Sequence, residues 1–298
     1  MKNVAIGIDL GGTNLRIGLI FNDGKILRQK IVPVGNNRGS QSIIKLLVNN
    51  INNPPNPPLK ILGIGIGAPG IADFERGTII RSPHYPGWHN FKLRDELSLA
   101  CGLPVVLDND ANVIAAGELW RGAGRGIKNF IMITLGTGIG GGIVICGDVF
   151  HGDDGFAGEI GHMVQQFDGI KCDCGGKGCW ETVVSIEGLK RWSGGKFGPK
   201  ALSERALKGD DFAKGVWKEF GAHLGAGIAS LVNITGIHTV IIGGGISNAW
   251  RFFISEAKKE IGRRTYKETA KRIVLKQATL GDSAGILGAA WNVFSKNG

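Results

Sequence analysis

Three cysteines in the middle of the chain have the spacing of metal ligands. Cys172, Cys174 and Cys179 lie within eight residues, and the other two of the five cysteines stand far from them. The first residues already have a strand pattern, so we expect no signal peptide and a cytosolic setting. In that setting an odd number of cysteines, three of them clustered, favours a metal site over a disulfide framework.

An acidic residue and a glycine turn near the start of the chain could hold phosphate, although the turn taken alone is better explained as a plain hairpin turn. In Asp9-Leu10-Gly11-Gly12-Thr13-Asn14 the carboxylate stands at a predicted strand end, and the turn exposes backbone N–H groups. Such amides and a hydroxyl can hold phosphate oxygens, and the carboxylate can reach Mg²⁺ directly or through water. The turn lacks the Gly-Lys-Ser/Thr ending of a Walker A loop. Two further glycine turns follow predicted strands, at 136–142 and 243–245.

The elements that must position these residues are strands and helices in alternation. Apolar and β-branched runs predict strands over 3–10, 14–21, 25–33, 60–67, 104–107, 129–135, 143–146 and 238–242. Helices are predicted over 39–52, 91–100, 110–120, 211–233 and 283–294, with Asn90 as the N-cap of the second. The four prolines within 54–58 predict an extended linker.

The two halves of the chain both open with a strand, a glycine turn and a strand. This repetition predicts a duplicated α/β fold of two domains with an active-site cleft between the copies. Ligands in such sheets bind beyond the carboxyl ends of the strands, which is where the glycine turns fall.

The composition is that of a globular protein without a membrane partner. Hydrophobic residues make up 43% and charged residues 20% of the 298 residues, and the chain has no apolar run of the roughly 20 residues that a membrane helix needs. We therefore expect a cytoplasmic location. The formal charge is +10, but Lys and Arg are scattered. This pattern favours a solvated basic surface over nucleic-acid binding.

The glycine turns and the cysteine cluster together carry a resemblance to a known family. The turns at 11–12, 136–138 and 243–245 resemble the two phosphate loops and the adenosine loop of the actin-like ATPase and sugar-kinase superfamily. Between Gly161-His162 and Glu181 the chain reads G-H-x9-C-x-C-G-x-x-G-C-x-E, which resembles the signature of the ROK family of sugar kinases and repressors. The resemblance covers essentially the whole chain.

The ROK signature implies a zinc ion held by one imidazole and three thiolates. Its ligands are His162, Cys172, Cys174 and Cys179. Four protein ligands leave no open coordination position, which is typical of structural zinc. The resemblance also implies the actin-like, ribonuclease H-like fold. It places a smaller domain at 1–109 plus 283–298 and a larger one, with the zinc site and nucleotide loops, at 110–282.

The resemblance implies an ATP-dependent hexose kinase with Asp110 as its catalytic base. In Asn109-Asp110-Ala111-Asn112, Asp110 would accept the proton of the sugar's primary hydroxyl during attack on the γ-phosphorus, while Asn109 fixes a neighbouring hydroxyl. Taken alone, the same segment would be interpreted as a helix N-cap. Asp108 has no matching role and is interpreted as structural.

The remaining substrate contacts follow from the same resemblance. The sugar-binding residues are Gly70, Asn109, Asp110, Glu159, His162 and Asp173. The Mg-ATP residues are Asp9, Gly11, Gly12, Thr13, Asn14, Gly136, Thr137, Gly138, Gly243 and Gly244. His162 can bind zinc through one ring nitrogen and a sugar hydroxyl through the other. Asp173 replaces a glutamate of related glucokinases, so it either touches the sugar or is exposed.

Two further positions in the family pattern need comment. Asn14 replaces the lysine of many relatives, and Arg16 is the candidate to compensate for it. Glu181 belongs to the signature but receives no assigned role.

Glucose, phosphorylated at its 6-hydroxyl, is the predicted substrate. The nine-residue spacer, the C-x-C motif and Pro86-Gly87-Trp88 favour it over N-acetylmannosamine and N-acetylglucosamine, which are the alternatives. Polyphosphate stays open as an alternative phosphoryl donor. A sugar-responsive ROK repressor is less favoured, because its DNA-binding domain would have to precede Asp9. The family implies a homodimer or homotetramer.

Overall fold

Strands and helices alternate through residues 2–51, 59–82, 84–153 and 155–297, which the computed structural model describes. The strands are β1 (Asn3–Leu10), β2 (Asn14–Phe21), β3 (Ile26–Pro33), β4 (Lys60–Ala68), β5 (Ile71–Asp73), β6 (Thr78–Arg81), β7 (His89–Phe91), β8 (Val105–Asn109), β9 (Phe130–Leu135), β10 (Ile139–Ile145), β11 (Asp148–Phe150), β12 (Thr239–Gly243) and β13 (Val274–Gln277). The helices are α1 (Ser40–Ile51), α2 (Leu93–Cys101), α3 (Asp110–Arg121), α4 (Ile186–Trp192), α5 (Pro199–Leu207), α6 (Asp211–Thr235), α7 (Trp250–Arg264), α8 (Lys267–Ala270) and α9 (Ala284–Asn297).

The predicted strands and helices are present, with ends shifted by a few residues. The predicted N-cap is wrong: Asn90 lies in β7 with a φ of 50°, and Lys92 precedes α2 without a side-chain cap. The proline-rich linker predicted at 54–58 lies outside the described residues.

The elements pack into two compact units. The first unit consists of Met1–Lys128, Gly142–Gly158 and Thr279–Gly298, and the second of Asn129–Gly141 and Glu159–Ala278. The sequence placed α3 and residues 142–158 in the larger domain, whereas here they pack within the first unit. The domain limits at 109/110 and 282/283 stay a prediction.

The first unit is built on a five-stranded sheet with the order β3-β2-β1-β4-β8. Strands β1, β4 and β8 run parallel, and β1 is buried along its whole length after its first residue, as expected for a parallel strand covered on both faces. Helix α9 lies directly on this sheet. A Cβ at Gly7 or Gly65 would overlap the carbonyl oxygens of Ile286 or Ala289, so only glycine permits this close approach.

The register of the parallel strands aligns the residues that the sequence marked as functional. Asp9 of β1 pairs with Gly67 of β4, and Gly67 pairs with Asp108 of β8. Helix α3 begins at Asp110, immediately after β8. The register therefore places Asp9, Asp108 and Asp110 at the same end of the sheet, where the parallel strands β1, β4 and β8 reach their carboxyl ends.

The second unit has a parallel core of β9, β12 and β13 in that order. Helix α6 is capped at its start by the Asp210 side chain and ends at Gly236, whose φ is 67°. Its neighbour α7 packs against it around Trp217, Phe220 and Phe253. Among the helices that the structure describes, none combines the length and apolar character of a bilayer span.

Candidate active site and metal centre

The first glycine turn joins β1 to β2 and is held by contacts with its backbone. The N–H of Gly11 donates to the carbonyl of Asn14 at 2.9 Å, and the Tyr85 hydroxyl donates to the carbonyl of Gly11 at 2.8 Å. Trp88 is buried and stacks on Tyr85 with ring centroids 4.4 Å apart. The Pro86-Gly87-Trp88 segment thus supports the turn by holding the tyrosine ring.

The Asp9 carboxylate precedes this turn in a buried position. Burial and the nearby charge of Asp110 raise the pKa of Asp9 to about 6, while Arg16 opposes the shift. Nη1 of Arg16 lies 3.7 Å from Oδ2 of Asp9, and its Nη2 donates to Asp282 at 2.7 Å. The Arg16 guanidinium therefore points toward the Asp9 carboxylate. Arg16 is the residue that the sequence named as a candidate to compensate for the missing lysine at position 14.

The residue that caps α3 is Asn109 rather than Asp110. Its Oδ1 accepts the N–H of Ala111 at 2.7 Å and that of Asn112 at 3.3 Å, while its Nδ2 donates to the carbonyl of Gly70 at 3.3 Å. Two predicted sugar-binding positions, Asn109 and Gly70, are thus in contact. Because the cap is supplied by Asn109, the Asp110 carboxylate is not needed for it.

The Asp110 carboxyl has a raised pKa. Desolvation by burial raises its pKa, against the lowering effects of the Ala111 N–H and of nearby His84. The His84 ring lies beside the glycine turn, 3.0 Å from the position that a Cβ of Gly12 would occupy, which is closer than ordinary van der Waals contact. Sequence reasoning missed His84, which has no motif around it.

The second and third glycine turns lie together in the second unit. The N–H of Gly136 donates to the carbonyl of Gly138 at 3.0 Å, which closes the turn after β9. Gly244, with a φ of 83°, lies so near Leu135 at the end of β9 that a Cβ would overlap its backbone. Thr137 lies between Gly136 and Gly138, and Gly243 is the last residue of β12. The two predicted nucleotide turns are therefore adjacent.

The four predicted metal ligands form one cluster in the second unit. One ligand atom from each of His162, Cys172, Cys174 and Cys179 lies within 4.8 Å of the others. Sγ of Cys174 and Sγ of Cys179 are 3.7 Å apart, and Sγ of Cys172 is 3.8 Å from Nδ1 of His162. The edge of a tetrahedron with Zn–S bonds of about 2.3 Å is about 3.8 Å, so the donor set fits such an ion.

Each ring nitrogen of His162 faces a different group. Nδ1 faces the cysteine cluster, whereas Nε2 lies 3.7 Å from Oε2 of Glu159. The imidazole thus has one edge for a metal and one edge on the side of a predicted sugar ligand. Asp173 is exposed, and its contact with the sugar stays a prediction.

Glu181 has contacts that the sequence did not predict. Its Oε1 lies 3.2 Å from Sγ of Cys172 and 3.5 Å from Nδ1 of His162, and its Oε2 accepts the N–H of Ile139 at 3.4 Å. A Cβ at Gly138 would overlap the same carboxylate. The side chain therefore joins the metal cluster to the second glycine turn. Its fixed place in the signature was the only sequence signal.

The cluster is fastened to helix α6 by the tryptophan that follows Cys179. Trp180 is fully buried, its Nε1 donates to the carbonyl of His223 at 3.0 Å, and its ring fills the space that a side chain at Gly227 would need.

Burial raises the pKa of the Cys172 and Cys179 thiols. Metal binding must therefore displace thiol protons, which makes it dependent on pH.

Comparison with known proteins identifies the family. The family model of the ROK family matches residues 5–296. The glucokinase of Halalkalibacterium halodurans is 35% identical over 97% of this chain and 94% of its own length. A xylose repressor of Caldicellulosiruptor bescii is 30% identical over 97% of this chain and 78% of its own length.

A solved structure extends the comparison to the fold. A ROK family glucokinase from Streptomyces griseus, in complex with glucose and AMPPNP, matches with a TM-score of 0.84 and 32% identity over 98% of this chain and 99% of its own. The chain therefore belongs to the ROK family and has the actin-like ATPase fold of its sugar kinases.

The raised pKa of Asp9 predicts a pH-dependent stability. Its pKa is about 6 in the folded protein against 3.8 for the ordinary value, so the folded state holds the proton more tightly than the unfolded state. The contribution of Asp9 to the free energy of unfolding is fully present below about pH 4. It falls by up to about 3 kcal/mol as the pH rises from about 4 to about 6. We expect the free energy of unfolding of Asp9→Asn, minus that of the wild type, to grow by that amount between about pH 4 and pH 7 in urea titrations. A constant difference over this range contradicts the assignment.

Proposed function

We propose that the chain is an ATP-dependent hexose kinase that transfers the γ-phosphoryl group to the 6-hydroxyl of glucose. The observation that carries the proposal is the start of α3, where Asn109 supplies the helix cap and leaves the desolvated Asp110 carboxyl for proton transfer. The similarity to glucokinases, one of them solved with glucose and an ATP analogue, supports the choice of substrates.

Asp110 acts as the general base in this proposal. As the 6-oxygen attacks the γ-phosphorus, its O–H bond breaks and the proton passes to the carboxylate, while the bond between the γ-phosphorus and the β–γ bridging oxygen breaks and ADP leaves. A general base works best when its pKa lies near the working pH, and burial moves the pKa of Asp110 in that direction. Little other covalent chemistry is required of the protein, because phosphoryl transfer depends mainly on alignment and charge stabilisation.

The sugar is held through its other hydroxyl groups. We assign hydrogen bonds to the Asn109 side chain, the Gly70 backbone, the Glu159 carboxylate and Nε2 of His162. Nδ2 of Asn109 already donates to Gly70, so the side chain is oriented before the sugar arrives. Pre-ordered groups lower the entropy lost on binding and improve alignment.

ATP is assigned to the three glycine turns, with Asp9 as the residue nearest to its metal ion. Mg²⁺, when bound with ATP, neutralises charge that develops on the phosphate oxygens. Asp9, with a pKa of about 6 and a neighbouring Arg16, is a carboxylate that a divalent cation would readily keep ionised. The turn residues supply backbone N–H groups to the phosphates.

A zinc ion held by His162, Cys172, Cys174 and Cys179 is proposed to be structural. With four protein ligands it has no position for a substrate. It would lock the His162 ring through Nδ1 and leave Nε2 for the sugar. Oε1 of Glu181 lies 3.5 Å from the same Nδ1, so Glu181 stands beside the edge of the ring that would face the metal.

Removing the base tests the mechanism. Asp110→Asn keeps the size of the side chain but cannot accept the proton, so kcat should fall by at least about a hundredfold. Glucose and ATP binding, measured by calorimetry, should persist. The control is Asp211→Asn, an exposed carboxylate at the start of α6, whose kcat should stay within about twofold of wild type. Near-normal turnover of Asp110→Asn would show that another group is the base.

Metal analysis tests the zinc site. We expect one zinc per chain, and we expect Cys179→Ser to lower the melting temperature and raise KM for the sugar together, because the ion braces His162. Cys146→Ser, which alters an exposed cysteine outside the cluster, should keep the zinc. Fully active protein without zinc would refute the assignment.

A sugar panel tests the substrate. The kcat/KM for glucose with Mg-ATP should exceed that for N-acetylmannosamine, N-acetylglucosamine and fructose by at least about tenfold. Groups that hydrogen-bond the hydroxyls of one sugar discriminate against analogues that leave those groups unpaired. A tenfold preference for an N-acetylhexosamine would overturn the choice of glucose but not the kinase. Absence of turnover with every sugar, together with sugar binding, would instead favour a repressor-like sensor.

The phosphoryl donor, the oligomeric state and the cellular location are also proposed. ATP is the proposed donor, and polyphosphate can be compared with it in the same assay. A homodimer or homotetramer in the cytoplasm, without nucleic-acid or membrane partners, stays the prediction from the family resemblance.

A further inference from the structure

A buried carboxylate beside the proposed base has no part in the chemistry described above. Asp108 is 3% exposed, lies next to last in β8 and stands two residues before Asp110. A buried carboxylate is strongly unfavourable unless hydrogen bonds and an opposite charge compensate for the lost water. The partners that surround Asp108 therefore indicate what it does.

Donors from four parts of the first unit converge on Asp108. Oδ1 accepts the N–H of Asn109 at 2.8 Å and the side-chain amide of Asn112 at 3.1 Å, and Oδ2 accepts the side-chain amide of Asn292 at 2.9 Å. Nε2 of His151 lies 3.2 Å from Oδ1 and 3.1 Å from Oδ2. The carboxylate thus joins the end of β8, α3, α9 and the residue that follows β11.

His151 is also fixed by other contacts. Its ring meets the Phe74 ring edge-on with centroids 4.8 Å apart, and its carbonyl accepts the N–H of Ala157 at 3.0 Å. The hydrogen bond to Asp108 raises the pKa of His151, against the lowering effects of burial and of Lys296. The contact with both carboxylate oxygens therefore holds the ring at Asp108.

The segment that begins at His151, which the structure describes at 151–153 and 155–158, needs such an anchor. Three of its glycines have positive φ: Gly152 at 71°, Gly155 at 78° and Gly158 at 93°. Glycine gives a backbone many alternative conformations, and within the segment the hydrogen bond from the Ala157 N–H to the carbonyl of His151 again involves His151. After residue 158 the chain continues into Glu159 and the short 3₁₀ turn Ile160–His162, which carries the proposed sugar ligands.

We infer that Asp108 and His151 form a positioning pair for sugar binding. The His151 side chain pins the start of the segment that leads to Glu159, and the same carboxylate fixes the backbone N–H of Asn109. The inference rests on the proposed sugar-binding roles of Asn109 and Glu159. Neither member of the pair touches the reacting atoms, so both act through other residues.

The test combines kinetics with hydrogen exchange. His151→Ala should raise KM for glucose by at least about tenfold, while kcat stays within about threefold and KM for ATP is unchanged, because the base and the nucleotide turns are unaltered. Amides in 152–158 should exchange faster. His151→Gln keeps an N–H donor for Asp108, and it should restore KM and exchange to within about threefold of wild type.

Asn292→Ala is the matched control. It removes a different donor from the same carboxylate without touching 151–158, so glucose KM and exchange in 152–158 should match wild type. Unchanged exchange and KM in His151→Ala, or an equal KM rise in Asn292→Ala, would overturn the inference and leave Asp108 a purely structural residue. The exchange result does not need kinase activity. A wild type that phosphorylates no sugar would therefore refute the proposed function, while exchange would still decide whether the pair holds the segment.

Discussion

Three carboxylates lie where the parallel strands of the first unit end. Removing a carboxylate from water is unfavourable unless hydrogen bonds or an opposite charge compensate for it. Asp9, Asp108 and Asp110 share one edge of the sheet because the register of β1, β4 and β8 aligns them. Their partners divide their roles. Asp9 has a guanidinium nearby and a pKa of about 6, which suits an encounter with a cation. Asp108 is surrounded by amides and an imidazole, which suits a fixed structural charge.

Asp110 has fewer hydrogen-bond donors around it than Asp108. It receives the Ala111 N–H, but the cap of α3 is supplied by Asn109, and burial raises its pKa. A desolvated carboxyl with few donors binds a proton more readily than one with several. The division of labour among the three acids therefore follows from where the fold places hydrogen-bond donors.

In the second unit the buried polar groups are three thiols and an imidazole rather than carboxylates. Buried Cys172 and Cys179 are held beside His162 by the Trp180 anchor on α6. A metal there would convert thiols with raised pKa into thiolates and fix one edge of an imidazole. Glu181 reaches from this cluster to the glycine turn after β9, so the Cys/His cluster and the second glycine turn share a side chain.

The sequence predicted the elements and motifs that depend on local pattern. Strands β1 and β2 with the Gly11-Gly12 turn follow from apolar runs, and the three clustered cysteines follow from their spacing. His162 followed from the resemblance to the ROK signature, and the structure brings the four residues together. It missed the sheet of β5, β6 and β7, whose strands are three or four residues long and too short for a clear period.

The sequence also did not predict contacts between residues that lie far apart in the chain. His151 has no motif around it, and only the tertiary fold brings it to Asp108, 43 residues earlier in the chain. The N-cap of α2 was assigned to Asn90 from residue type alone. In the structure β7 pairs with β6 through that region, and this pairing overrides the local preference.

The central claim is that Asp110 receives the proton of the hydroxyl that attacks ATP. A crystal structure of the protein with glucose and a non-hydrolysable ATP analogue tests it most directly. We predict a carboxylate oxygen of Asp110 at about 2.6–3.2 Å from the 6-oxygen of glucose, the distance that proton transfer requires. A 6-oxygen hydrogen-bonded to a different acid or base, with Asp110 turned away from it, would contradict the account.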